Sequence, residues 1–152
     1  MEAIDGNKQQ MNLVPTATQL QSIFAQAAAP AFLLAGVAAF VSILMSRLAA
    51  IVDRIRYLSA IAESDPVSGK LKGDIPYLKR RALLLHRAVY LALLAGIATT
   101  LLLIVMSGSA FMGLQHIYGA GLLFGIATVL FTLSLFKFAQ EIRVALYEIN
   151  QL

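Results

Sequence analysis

The side chains able to do chemistry are few here, and the chain keeps them apart. The two histidines, His86 and His116, raise the question of haem or metal ligation. They fall at opposite ends of one apolar segment, about 30 Å apart if that segment crosses a bilayer, so one subunit cannot bring both rings to one iron. Asp53, Arg56 and Glu63 recur at three- and seven-residue spacing. On a helix the first two can simply pair; repeated around an oligomer, the set could form charge rings at a pore mouth. Lys79, Arg80, Arg81 and Arg87 form a basic group, with His86 among them. Beside a membrane such a group attracts anionic head groups at about 1 kcal/mol per charge; lipid contact is the reading preferred over nucleic-acid binding. The chain has no Cys, which excludes disulfides, thiolate metal sites and cysteine nucleophiles. No residue is expected to be catalytic, no metal or cofactor site is expected, and the protein is not expected to be an enzyme.

The elements that must carry these residues follow from the charge map. Residues 88–136 contain no Asp, Glu, Lys or Arg, and neither do residues 9–46. A charge at a bilayer centre costs about 2.5–3.5 kcal/mol on insertion scales, so runs of this kind mark membrane spans. A span needs about 20 apolar residues. Residues 25–46, 88–106 and 117–136 qualify, and Ser107, Gly108 and Ser109, followed by Gly113, Gln115 and His116, divide the last two. Gly and Ser at that point are expected to end the second helix.

Arg47, Arg54, Arg56, Lys70, Lys72, Lys79, Arg80, Arg81 and Arg87 all lie between the first two spans, whereas the second connection carries no Lys or Arg. The positive-inside rule then puts residues 47–87 and 137–152 in the cytoplasm and the tail, residues 1–22, outside. That tail does not read as a cleavable signal. Residues 23–152 form the three-span domain.

The flanks of the spans are expected to be helical continuations. Leu48, Ile51, Ile55, Leu58 and Ala62 recur at helical spacing after the first span, and Phe138, Ile142, Ala145 and Ile149 after the third. These stripes either pack on each other and on residues 77–85, or lie flat on the membrane surface. Glu63, Ser64, Asp65, Pro66, Ser68 and Gly69 form the expected break, and Asp74 before Pro76 is the expected cap of the next helix.

The first helix has two unlike faces. Phe40, Val41, Leu44, Leu48, Ile51, Ile55 and Leu58 make one; Ala28, Ala31, Ala35, Ala38, Ser42, Ala49, Arg56 and Glu63 make the other, with Ser46 and Asp53 close beside. Small residues let membrane helices approach closely. The same seam, repeating near seven residues, could instead line the axis of a homo-oligomer. Gly121 with Gly125, and Ala92 with Gly96, mark further close contacts. Thr128 and Thr132 are expected to bond back to their own helix. Pro30 frees the carbonyl of Gln26 and shapes packing. The strings 93–99 and 122–128 are similar to each other, a weak hint of inverted symmetry.

Ile23-Phe24, Pro30-Ala31-Phe32-Leu33-Leu34-Ala35-Gly36 and Arg47-Leu48-Ala49-Ala50-Ile51-Val52-Asp53-Arg54-Ile55-Arg56 together resemble the small bacterial three-helix membrane proteins of domain-of-unknown-function family 2721. The resemblance implies a bacterial inner-membrane location and the three-span layout, and supplies no reaction or ligand.

The expectation is thus an all-α integral membrane bundle of three transmembrane helices with cytoplasmic helical extensions. It is expected to work as a homo-oligomer among membrane lipids, with an ion channel or pore along Ala28, Ala35, Ser42, Ser46, Ala49, Asp53 and Arg56 as the concrete mechanism. The alternative is a non-catalytic scaffold or accessory subunit with a membrane-protein partner.

Overall fold

The computed structural model describes residues 17–61, 73–112 and 117–149. Three helices account for nearly all of them: α1 (Ala17–Ala60), α2 (Ile75–Met112) and α3 (Ile117–Ile149). All three are long and apolar enough to cross a membrane. At 1.5 Å per residue, helices of 44, 38 and 33 residues run about 66, 57 and 50 Å, well beyond a hydrocarbon core of about 30 Å. The apolar window therefore occupies part of each helix. Most of the remainder projects from one end of the bundle, the end that carries Arg47, Arg81 and Glu141.

The order is up, down, up. Tyr77 reaches Val144, Arg81 reaches Glu141 and Ser134 reaches Ala88, so α2 and α3 run antiparallel. The last two contacts are one heptad apart on both helices, the register of supercoiled neighbours. Gly96 of α2 faces Val37 and Leu34 of α1. α1 and α3 meet chiefly through Phe40, whose ring stands edge-on to Phe131 at 5.6 Å and to Phe138 at 5.5 Å.

α2 is the central helix, and its composition explains why. Ala88, Ala92, Ala95, Ala98 and Thr99 are all buried. Within a bilayer, apolar side chains gain nothing by leaving lipid, so association depends on backbones coming close, which small residues permit. A Cβ added at Gly96 would lie 3.6 Å from Val37 Cγ1, ordinary contact distance. Toward the charged end the side chains enlarge: Ile51 and Leu58 of α1 pack with Leu78 and Leu85 of α2 in the same core. Outside the hydrocarbon, full burial of such a residue stabilises by about 1.5–3 kcal/mol. The amphipathic extensions thus pack on one another.

Several expectations meet the structure here. The apolar face of α1 is the buried one, with Phe40, Leu44, Ile51 and Leu58 in the core and Val41, Leu48 and Ile55 against it. Ala92 and Gly96 mark a close helix contact. Gly121 and Gly125 do not: both are exposed and have nothing within 4 Å of an added Cβ, because that side of α3 faces away from α2. α2 continues through Ser107, Gly108 and Ser109 to Met112. Ser107 Oγ donates to the Leu103 carbonyl at 2.8 Å and Ser109 Oγ to that of Met106 at 3.0 Å, so these serines bond to the helix they were expected to end. Pro30 lies inside α1, which continues on both sides of it. Leu78 N–H donates to the Asp74 carbonyl at 3.0 Å, the first turn of α2, where Pro76 needs no donor. The expected break at residues 63–69, and Gly113, Gln115 and His116, lie outside the described residues.

Candidate functional site

The most constrained polar site joins all three helices at the charged end. Glu141 of α3 is fully buried. Its Oε1 accepts from Arg81 Nη2 at 2.7 Å and Nε at 3.0 Å; its Oε2 accepts from Arg47 Nη1 at 3.2 Å. Each carboxylate oxygen is thus occupied, one by α2 and one by α1. Arg81 is the more enclosed partner, 19% exposed against 44% for Arg47.

Aromatic rings back both guanidinium groups. Arg47 lies 5.3 Å from the centroid of Phe138, and Arg81 lies 5.9 Å from that of Tyr77. Tyr77 in turn donates its hydroxyl to the Val144 carbonyl at 2.6 Å, fastening the start of α2 to the end of α3. One heptad deeper, buried Ser134 Oγ donates to the Ala88 carbonyl at 2.6 Å. Among the described residues, no buried side-chain nitrogen or oxygen lacks a partner.

A buried carboxylate is tolerable only when paired and hydrogen-bonded, and this one is. Its chemistry is that of an electrostatic clasp. Nothing in the set is a nucleophile with an adjacent base, and the carboxylate is committed to two cations. The clasp holds α1 against a bundle that otherwise grips it mainly through α2.

Glu141 is the residue that sequence reasoning missed: it stands outside the apolar stripe of the third helix's extension, yet it lies on the buried line of α3. Phe138, Ile142 and Ala145 are half-buried and Glu141 lies between them. A signal was present: Ala127, Ser134 and Glu141 stand at seven-residue spacing, and all three are fully buried. Arg47 had entered the charge count that sets orientation and the segment that carries the family resemblance, with no partner assigned to it. Arg81, expected at the lipid head groups, instead turns inward to Glu141, because the buried carboxylate needs charge-assisted donors on both oxygens and Arg47 reaches only one of them.

The other expected residues are placed as follows. Ala28, Ala35, Ser42, Ser46, Ala49, Asp53 and Arg56 are all exposed, along the side of α1 away from the core. Asp53 and Arg56 pair at 3.6 Å with both side chains open to solvent, the simple helix pair anticipated. Lys79 and Arg80 are exposed, and Arg87 lies with His86 and Lys137 around a cleft between α2 and α3. Thr128 and Thr132 bond back to the carbonyls of Phe124 and Thr128 at 2.8 and 2.9 Å. The similar strings 93–99 and 122–128 have different surroundings: Thr99 is buried and Thr128 exposed. Glu63 lies outside the described residues.

No curated protein and no solved structure matches the chain. The model of one family matches residues 27–151, which takes in the Pro30 and Arg47–Arg56 segments, α1 from residue 27 onward, the whole of α2 and α3, and the Glu141 clasp. A match over that share of the chain shows membership: the protein belongs to the family described as Protein of unknown function (DUF2721).

Proposed function

We propose that this protein is the subunit of a non-enzymatic homo-oligomeric assembly in the bacterial inner membrane, with its N-terminus outside and its C-terminus in the cytoplasm. The copies associate through the small-residue face of α1, and an ion pathway along that face is the mechanism worth testing. One observation carries the reading: Ala28, Ala31, Ala35, Ala38, Ser42 and Ala49 are all exposed, while the opposite face of the same helix does the packing within the subunit. Small residues bring helices close, so leaving them outward suits a helix from another copy better than it suits lipid. Ala38 also edges an apolar groove of about 540 Å³ between α1 and α2, lined by Leu34, Val37 and Val41 with Gly96 and Ile97. A neighbouring helix would cover face and groove together. Ser42 and Ser46 supply weak polarity along the face, and the Asp53–Arg56 pair stands at its charged end.

A scaffold or accessory subunit is the second reading. It is favoured by the complete pairing of buried polar groups among the described residues, which leaves none to receive a solute. The deciding experiment is the mass of the purified protein in nanodiscs, with ion flux measured on the same reconstituted sample. A defined ring whose flux falls in Ser42→Leu supports the pathway. A defined oligomer without flux favours the scaffold, and a monomer without flux removes the self-association reading.

A further inference from the structure

A second polar feature lies apart from the Glu141 clasp, on residues of α2 and α3. Between α2 and α3 is an open cleft of about 460 Å³ lined by His86, Arg87, Tyr90, Leu91 and Lys137. We propose that this cleft binds one phospholipid of net negative charge, its phosphate between Arg87 and Lys137 and its acyl chains running along the span past Tyr90 and Leu91.

The depth of the cleft is the first argument. Arg87 and Lys137 are the last charges before and after the charge-free run 88–136. The Ser134–Ala88 hydrogen bond sets these two ends side by side, so both cations stand at one level, where the hydrocarbon begins. Tyr90 is one turn deeper and largely exposed, the position of an interfacial aromatic ring.

Charge is the second. The lining carries an arginine, a lysine and an imidazole, and no carboxylate. Glu141, the buried acid of α3, is spent on Arg47 and Arg81. Among the described residues, Lys137 Nζ bonds a neutral acceptor, Gln140 Oε1 at 3.3 Å, and no carboxylate.

Shape is the third. The lining is cationic where the hydrocarbon begins and passes into an aromatic and an aliphatic side chain deeper down. A free inorganic anion would use only the upper half; a lipid uses both. Attraction of about 1 kcal/mol per basic residue, focused here by two residues in one cleft, predicts selectivity over a zwitterionic lipid.

The test is native mass spectrometry of the full chain, titrated with phosphatidylglycerol and, separately, phosphatidylcholine. The expected result is preferential binding of the anionic lipid, with affinity lowered on the order of tenfold in Arg87→Gln/Lys137→Gln. The charge-keeping pair Arg87→Lys/Lys137→Arg should bind within about twofold of the parent, and so should Arg54→Gln/Arg143→Gln, which removes two exposed cations elsewhere at the same end. Equal loss in that control pair would mean diffuse attraction and would overturn the site. Equal binding of phosphatidylcholine would overturn the charge argument, and displacement by millimolar inorganic phosphate would overturn the lipid as the ligand. Circular dichroism of each variant identifies any that fails to fold, in which case the charge-keeping pair and the competition arms decide.

Discussion

Glu141 concentrates the energetics of individual residues. Removing one partner of a buried ion pair leaves an unmatched charge, costing about 3–5 kcal/mol, whereas replacing the whole set with apolar residues is commonly neutral or stabilising. Glu141→Leu should therefore lower the melting temperature in detergent sharply, while Arg47→Met/Arg81→Met/Glu141→Leu recovers most of it. If the triple variant is as unstable as the single one, the clasp does more than balance charge. The two arginines should not be equal. Arg47 is 44% exposed and its ion pair is the longer, so Arg47→Ala costs about 1 kcal/mol or less and Arg81→Ala clearly more. A melting series in the order parent, Arg47→Ala, Arg81→Ala, Glu141→Leu checks the ranking. Little of this was legible beforehand, because a glutamate one turn beyond an apolar span looks like any solvated residue. Its burial depends on Arg47 and Arg81, both distant in sequence.

At the scale of elements, the central position of α2 rests on small side chains, and Gly96 shows how closely α1 approaches. Gly96→Ala adds a Cβ at ordinary contact distance and should be tolerated or slightly stabilising. Gly96→Leu must push Val37 and Leu34 away and should cost about 1–3 kcal/mol, read as a fall in melting temperature. Gly125→Leu, on the open side of α3, should change little in the isolated subunit. A similar fall for Gly125→Leu and Gly96→Leu would contradict the helix order. The helices themselves were visible in the charge gaps and in the apolar stripes of their extensions, and the two unlike faces of α1 were visible too, but not which of them packs within the subunit. The serines at 107 and 109 misled: they interrupt hydropathy without interrupting hydrogen bonding, since each hydroxyl returns to its own helix.

For the whole molecule, the chain folds as a three-helix unit clasped at one end, with the small-residue face of α1 exposed. Ala35→Leu and Ser42→Leu should leave the subunit's melting temperature within about 0.5 kcal/mol of the parent, as exposed sites do, and reduce the mass of the assembly in nanodiscs. An unchanged mass would mean that copies, if they associate, do so elsewhere. Orientation has its own check. A cysteine at Lys79 should react with a membrane-impermeant thiol reagent only after cells are opened, and one at Gln115 in intact cells. The reverse pattern would invert the topology.

Sequence alone determined that this chain crosses the membrane as a bundle of apolar helices with helical extensions, because the cost of burying charge in lipid is local and can be read residue by residue. The outward turn of the α1 small-residue face was decided only in three dimensions, as was the inward turn of Arg81. So was the burial of Glu141, the acid that clasps all three helices. Facing and pairing are relations between segments far apart in the chain. Small residues that suit a neighbour within the subunit look the same in sequence as those that suit a neighbour outside it.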